Sequence, residues 1–251
     1  MTEQERQRAI RLKLARLGDG AAGRLESAIP TGLASLDAAL GTEGLPRGVI
    51  AEIFGSSGSG KTTLALGIVR HAQASGFDAA WIDADRTFDP AYAAALGVAL
   101  DRVPVLMPES AEQAFAMTAQ LAGSGAVNLL IVDSAAALVP AVELNSSLGT
   151  SGPGLHGRVL ASGLRKAAVA VARAGVALVF LNQTRSRLED GLQAETTAGG
   201  PSLKLYATVR IALEAAGTGQ VRFRVLKNKR GGVYGRGQLR WIPGVGFGET
   251  A

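Results

Sequence analysis

The stretch IAEIFGSSGSGKTTL, Ile50 to Leu64, decides how the chain is read. An apolar run rich in β-branched residues, GVIAEIFG, reads as a strand, and a helical pattern begins at Lys61. Between them lies a full G-x-x-x-x-G-K-[ST] motif, Gly55 to Thr62. Strand, glycine-rich turn and helix form the context in which this motif cradles phosphate. Gly55, Gly58 and Gly60, with Ser56, Ser57 and Ser59 between them, let backbone N–H groups curl around phosphate oxygens. The helix N-terminus adds positive potential, Lys61 neutralises β and γ phosphates, and Thr62 can ligate Mg2+. A Gly/Ser turn that fits the spacing by chance is the plain alternative.

Outward from this motif, short β-rich runs alternate with helical patterns. AAWIDA, VPVLMP, NLLIVDS and VALVFLNQ read as strands, and helices are expected from Asp89, from Ser110 and over Leu155 to Ala174. Strands without a polar face, alternating with helices, predict an α/β fold with a central, mostly parallel sheet covered on both sides. From Tyr206 the pattern turns β-rich, with VRIALEA, VRFRVLKNKR and QLRWIPG, which predicts antiparallel C-terminal strands extending one edge. Residues 1–28 read as a basic amphipathic helix (4–17) and a Gly-rich linker, and 29–251 as one core.

Composition narrows the chemistry. The 251 residues hold no cysteine and two distant histidines, His71 and His156, which excludes disulfides and thiolate metal sites and gives no zinc spacing. No apolar run reaches membrane-spanning length and no signal sequence is visible, so a cytoplasmic protein is expected, with no membrane partner. The formal net charge of +5 permits a polyanionic partner without requiring one.

Carboxylates at strand ends come next. NLLIVDS ends in Asp133, where α/β sheets place ligands, and Asp133 would hold Mg2+ beside Thr62; capping the following helix is its alternative role. WIDADRTFDP places Asp83, Asp85 and Asp89 at the end of another strand. Asp83 or Asp85 there would face a γ-phosphate as a base that orients or deprotonates water. Asp89 before Pro90 reads instead as a helix N-cap with proline at the first helical position.

IPTGLASLDAALG, EIFGSSGSGKTTL, WIDADRTFDPAYAAALGV, AVNLLIVDSAAALVP, VFLNQTR, ETTAGGPSLKLYATVRI and LKNK occur in the order in which they occur in the RecA family, which the chain resembles over about Ile29 to Ile242. The resemblance implies a RecA-like P-loop ATPase core, with ATP and Mg2+ as cofactors. It implies DNA-dependent ATP hydrolysis in recombination and repair, and filaments on single-stranded DNA. It assigns Gly55 to Thr63 to ATP phosphates, Tyr92 to the adenine face, Asp85 to catalysis with Lys61, and Gln183 to sensing the γ-phosphate. Lys227 and Lys229 correspond to lysines that reach a neighbouring subunit's ATP. Alternation puts them on the strand face of Val221, Phe223 and Val225. ELNSSLGTSGPG (143–154) and TRSRLEDGLQAETTAGG (184–200) stand where the family has DNA-binding loops, giving Arg158, Arg185, Arg187, Gly199 and Gly200 as DNA contacts.

The chain departs from the family pattern at Asp85, where the family has Glu. A side chain shorter by one methylene withdraws the carboxylate by about 1.5 Å, and catalytic geometry is sensitive to about 1 Å at a cost near 10²-fold. The second loop lacks the family's bulky aromatic and methionine, the N-terminal stretch lacks an aromatic anchor, and no counterpart of the family's small C-terminal domain is expected after QLRWIPGVGFGETA. Two functions are therefore carried forward: a single-stranded-DNA-binding recombinase-type ATPase, and an ATP-binding RecA-like regulator of a recombinase or translesion polymerase. An enzyme phosphorylating a small molecule draws little support from the loop after Gln183.

Overall fold

The computed structural model describes residues 28–146, 154–189, 192–231 and 234–250, with the backbone alone at 185–189 and 192–196. The basic helix expected at residues 4–17 and most of the linker lie outside the described residues. Ile29, fully buried, opens the folded part by pairing with Leu45 in an isolated bridge.

In chain order the elements are α1 (Ala34–Leu40), β1 (Ile50–Gly55), α2 (Lys61–Ala74), β2 (Ala79–Asp83), α3 (Pro90–Ala95), β3 (Val105–Leu106), α4 (Ala111–Ser124), β4 (Leu129–Asp133) and α5 (Ala141–Leu144). There follow α6 (Leu155–Ala174), β5 (Ala177–Glu189), β6 (Leu192–Thr197), α7 (Pro201–Tyr206), β7 (Val209–Ala215), β8 (Gln220–Asn228), β9 (Arg236–Ile242) and β10 (Gly246–Glu249). Among the described residues the strands run in the order β10-β9-β8-β7-β1-β5-β4-β2-β3, with β6 paired to β5. From β7 through β3 the pairs are parallel, and from β7 to β10 they are antiparallel.

The strands lack a polar face because both faces are covered. Leu129 and Ile131 of β4, Trp81 of β2 and Val179 of β5 pack into one cluster with α1 and α2. Leu130, Val132, Ile82 and Phe180, the alternate positions, pack into a second cluster under α4, α6 and α7. Helix α4 comes close to α6 because Gly163 has no side chain: a Cβ there would lie 2.1 Å from Cδ2 of Phe115. The N-cap read at Asp89 is present, and the helix start expected at Ser110 is capped as well. Asp89 accepts from the N–H groups of Ala91 and Tyr92, with Pro90 at the first position of α3, and Ser110 accepts from Gln113 N at the start of α4.

Two expectations need correction. The segment after Gln183 was read as a loop, yet β5 continues to Glu189 and β6 returns antiparallel to it, with Thr184 opposite Thr197 and Glu189 opposite Leu192. The overlooked signal is Asp190-Gly191 between two alternating segments, a pair favoured in two-residue hairpin connections. The second correction concerns Lys227 and Lys229. Alternation holds through Val221, Phe223 and Val225, but β8 pairs Ile211 with Val225 and Arg210 with Lys227, leaving Leu226 as an extra residue. This bulge inverts the inside–outside parity. Asn228 turns into the core, 3% exposed, where its Nδ2 donates to the Leu40 carbonyl at 2.6 Å and its Oδ1 accepts from the N–H groups of Arg230 and Gly231. Lys227 is half-buried and Lys229 exposed.

Candidate functional site

Every parallel strand next to β1 ends on the side where the phosphate loop opens. β1 and β5 are in register from Ile50–Leu178 to Gly55–Gln183, so Gln183 stands beside the first glycine of the loop. β4 and β2 finish level, Asp133 opposite Asp83. The carbonyl oxygen of Asp133 accepts from the N–H groups of Ala84 (2.6 Å) and Asp85 (3.1 Å), which pins the segment carrying Asp85 to the end of β4.

Within this frame the residues read from the sequence come together. Gly60, at φ 86°, is the N-cap of α2, and Lys61 follows as the first helical residue. Lys61 Nζ donates back to the carbonyls of Gly55 (3.1 Å) and Ser56 (2.8 Å), across the loop. Burial lowers its pKa, opposed by the negative charges of Asp133 and Asp85. Thr62 Oγ1 donates to Asp133 Oδ2 at 3.1 Å. Asp133 is 7% exposed, and burial together with Asp85 and Asp83 pushes its pKa up to about 7, against the Thr62 hydrogen bond and Lys61. Its side chain turns to Thr62 and makes no cap for the 3-10 turn Ala135–Ala137.

The carboxylates of WIDADRTFDP separate by role. Asp83, fully buried, accepts from Thr87 N (3.1 Å) and Phe88 N (3.0 Å) and so shapes the turn that follows β2. Asp85 reaches into the site, where its Oδ1 accepts from Ser134 N at 2.5 Å and its Oδ2 from Ser134 Oγ at 3.2 Å. Ser134 was not singled out from sequence, although its place directly after the strand-end aspartate was a usable signal. Tyr92 sits on α3 with its hydroxyl 2.8 Å from Thr63 Oγ1.

A contribution from the C-terminal hairpin was also missed. A Cβ on Gly60 would lie 2.4 Å from Cζ of Phe247, so the β10 ring lies directly on the phosphate loop. Arg70 Nη1 of α2 donates to the carbonyls of Leu96 (3.2 Å) and Val245 (2.9 Å), tying the β9–β10 turn to α2 and to the end of α3. Only QLRWIPG was read, as a sheet edge; the missing side chain of Gly60 is what permits this close approach.

Of the two segments assigned to DNA, residues 147–153 of the first lie outside the described residues, and the second ends beside the first turns of α6. Arg158 is exposed on the first turn of α6, and Gly199 packs beside Leu160 and His156 of the same helix. Gly200 is the N-cap of α7, with Pro201 next. Arg185 and Arg187 lie on the backbone of the β5–β6 hairpin, and their side chains are outside the described residues. Lys227 Nζ donates to the carbonyls of Lys204 (2.7 Å) and Leu205 (3.2 Å), at the C-terminal end of α7, where cations are favoured. Burial and the neighbouring Lys229, Arg210 and Lys204 lower its pKa against the pull of Glu52.

The family model for the RecA N-terminal domain matches residues 5–233. The chain belongs to the RecA family. It is 43% identical over 227 residues to Protein RecA of Chlorobium chlorochromatii (strain CaD3), which covers 85% of this chain and 64% of that protein. Identity to Protein RecA of Bifidobacterium breve is 42% over 243 residues, 92% of this chain and 62% of the other. Against Protein RecA of Deinococcus radiodurans it is 39% over 246 residues, 92% and 67%. The chain thus spans a little under two thirds of the first two relatives. As a RecA-family core it has the mixed sheet described above. Among the described residues no helix is long and apolar enough to cross a membrane, and no cluster of His, Asp and Glu stands ready to hold a metal without other ligands.

Proposed function

We propose that this protein is an ATP-dependent, single-stranded-DNA-binding ATPase of recombinase type, acting in DNA recombination and repair. The observation that carries the reading is the convergence of Lys61, Thr62, Asp85 and Asp133 on one phosphate loop, beside Gln183. The Thr62 hydroxyl and the Asp133 carboxylate are hard oxygen donors in a buried place short of positive charge, a donor set that fits Mg2+ completed by phosphate and water oxygens. Magnesium, when bound, supplies positive charge against the β and γ phosphates.

The chain's own groups do the rest. Backbone N–H groups from Gly55 to Thr63 hold phosphate oxygens, and Lys61 exchanges its bonds to the Gly55 and Ser56 carbonyls for bonds to phosphate. Asp85 is the base. Two of its lone-pair sites are taken by Ser134, and a carboxylate has about four, so it can still accept a proton from the attacking water. Gln183 senses the γ-phosphate with a neutral amide, and its strand leads directly into the β5–β6 hairpin. Tyr92 supplies an aromatic face for adenine. Arg158, Arg185, Arg187 and the Gly199–Gly200 turn contact the DNA backbone. Lys227 and Lys229 act on a neighbouring subunit's phosphates when chains assemble, with Lys227 leaving the end of α7.

A second reading is favoured by one feature. Asp85 is short, and Ser134 holds both of its oxygens, which suits a protein that keeps ATP as a switch and regulates a recombinase or polymerase. Turnover at low salt, with and without saturating single-stranded DNA over a range of protein concentrations, decides between the two. Stimulation that rises cooperatively with protein supports the recombinase-type ATPase. Tight ATP binding with negligible turnover throughout would overturn it in favour of the switch. DNA affinity that is flat with salt would remove the phosphate-led contact.

A further inference from the structure

β1 carries a carboxylate where the rest of the strand is apolar. Glu52 is fully buried, on the face of the sheet that packs under α6 and α7. Its two oxygens go to different strands: Oε1 accepts from Asn182 Nδ2 of β5 at 2.9 Å, and Oε2 from Arg210 Nε of β7 at 2.5 Å. Asn182 is fully buried and Arg210 is 8% exposed, its guanidinium 4.4 Å from the ring centre of Phe54. Buried ion pairs are often no more stabilising than apolar residues of the same volume, so stability alone does not account for this one.

What the pair does is join places that matter. On one side, Asn182 precedes Gln183 and its Oδ1 accepts from the Gln183 N–H at 2.9 Å. The same Asn182 Nδ2 donates to the Ala198 carbonyl at 3.0 Å, and Ala198 N donates to the Gln183 carbonyl at 3.0 Å. Ala198 leads into Gly199 and Gly200, where α7 starts. On the other side, Arg210 lies opposite Lys227, which holds the last carbonyls of α7. Gln183 and the start of α7 are thereby hydrogen-bonded through Asn182 to one carboxylate in the strand that ends in the phosphate loop, and Arg210, bound to the same carboxylate, pairs in the β7–β8 ladder with Lys227 at the other end of α7.

We propose that Glu52 is a positioning residue that couples the nucleotide site to DNA binding. It fixes Gln183, the Gly199–Gly200 turn and Lys227 relative to one another, so that a change at the γ-phosphate moves the start and the end of α7 together. This rests on the ATP-dependent DNA-binding function proposed above. A buried network with each member satisfied has few alternative arrangements, which is what a shared two-state element needs.

The test is the ratio of affinities for a labelled oligothymidylate with and without a non-hydrolysable ATP analogue, measured alongside the affinity for the analogue without DNA. The variants are Glu52→Gln, the charge-neutral pair Glu52→Gln with Arg210→Met, and Asn182→Ser, which cuts the neutral link and leaves the ion pair whole. Folded variants are expected to bind the analogue within about twofold of the wild type, while the coupling ratio falls about tenfold; reciprocity requires the same loss when nucleotide affinity is measured with DNA present. A residue with only a structural role would lower melting temperature and both affinities together, leaving the ratio intact. An unchanged ratio in any variant that folds overturns the proposal. Should both Glu52 variants fail to fold, Asn182→Ser alone must lose coupling, and retention there overturns it equally. A wild type that shows no effect of nucleotide on DNA affinity overturns the proposed function, and this inference with it.

Discussion

Replacing Asp133 by asparagine should stabilise the nucleotide-free protein in a strongly pH-dependent way. The Asp133 carboxyl, 7% exposed, is pushed from an ordinary 3.8 up to about 7, first by burial and then by Asp85 and Asp83. Between about pH 4 and pH 7 the folded chain therefore keeps a proton that the unfolded chain has released. Stability is fully present below the lower value and is lost as pH rises through the upper one. One pKa step corresponds to about 1.4 kcal/mol, so the ionised Asp133 costs the folded state as much as about 4 kcal/mol above pH 8. Asparagine has nearly the same shape, still accepts from Thr62, and cannot ionise. Urea unfolding of wild type and Asp133→Asn from pH 4 to pH 8 should show curves that coincide at the acid end and diverge above pH 6, with the variant the more stable. Magnesium with nucleotide should reverse the order, because a bound cation favours the ionised carboxylate of the wild type. A gap that does not change with pH, or a variant less stable at pH 8, would refute the idea that a carboxylate short of positive charge sits there.

Lys61→Ala should abolish ATP binding in equilibrium dialysis, since the loop loses its phosphate countercharge; retained affinity would remove the phosphate assignment. Asp85→Asn should stop turnover while sparing ATP affinity, and Asp85→Glu should raise turnover, toward about 10²-fold if reach alone limits the base; unchanged hydrolysis in Asp85→Asn would move the base elsewhere. Gly163→Ala should lower stability by about 1 to 3 kcal/mol by driving a methyl into the Phe115 ring, 2.1 Å away, with little effect on nucleotide affinity; a neutral result in thermal melts would mean that α4 and α6 can separate freely.

What was legible in the sequence was what chemistry forces to be contiguous. The G-x-x-x-x-G-K-[ST] spacing is contiguous, so the turn between β1 and α2 at Gly55 to Lys61 declares itself, and the Asp89 cap acts over three residues. Strand and helix types followed from burial on both faces, as Trp81 beside Ile82 shows. The features that depend on a distant partner were not legible. The bulge at Leu226 exists only relative to β7, Phe247 reaches Gly60 from the far edge of the sheet, and Ser134 holds Asp85 across two strand ends. Glu52 lies between these cases. A charge within GVIAEIFG was visible as an anomaly that demands a partner, but Asn182 and Arg210 are remote in sequence and only the strand order β7-β1-β5 names them.

The extra residue in β8 also says where this chain tolerates changes in length. Deleting Leu226 alone would leave Lys227 opposite Arg210 and Asn228 opposite Val209 in an unbroken ladder, with Asn228 still turned inward to its bonds with Leu40, Arg230 and Gly231 and the lysines still outward. The turn between β7 and β8 is a second such place, since a Cβ on Gly217 or Gly219 would meet nothing within 4 Å. Loss of a single residue should therefore be absorbed at Leu226 as well as at that turn.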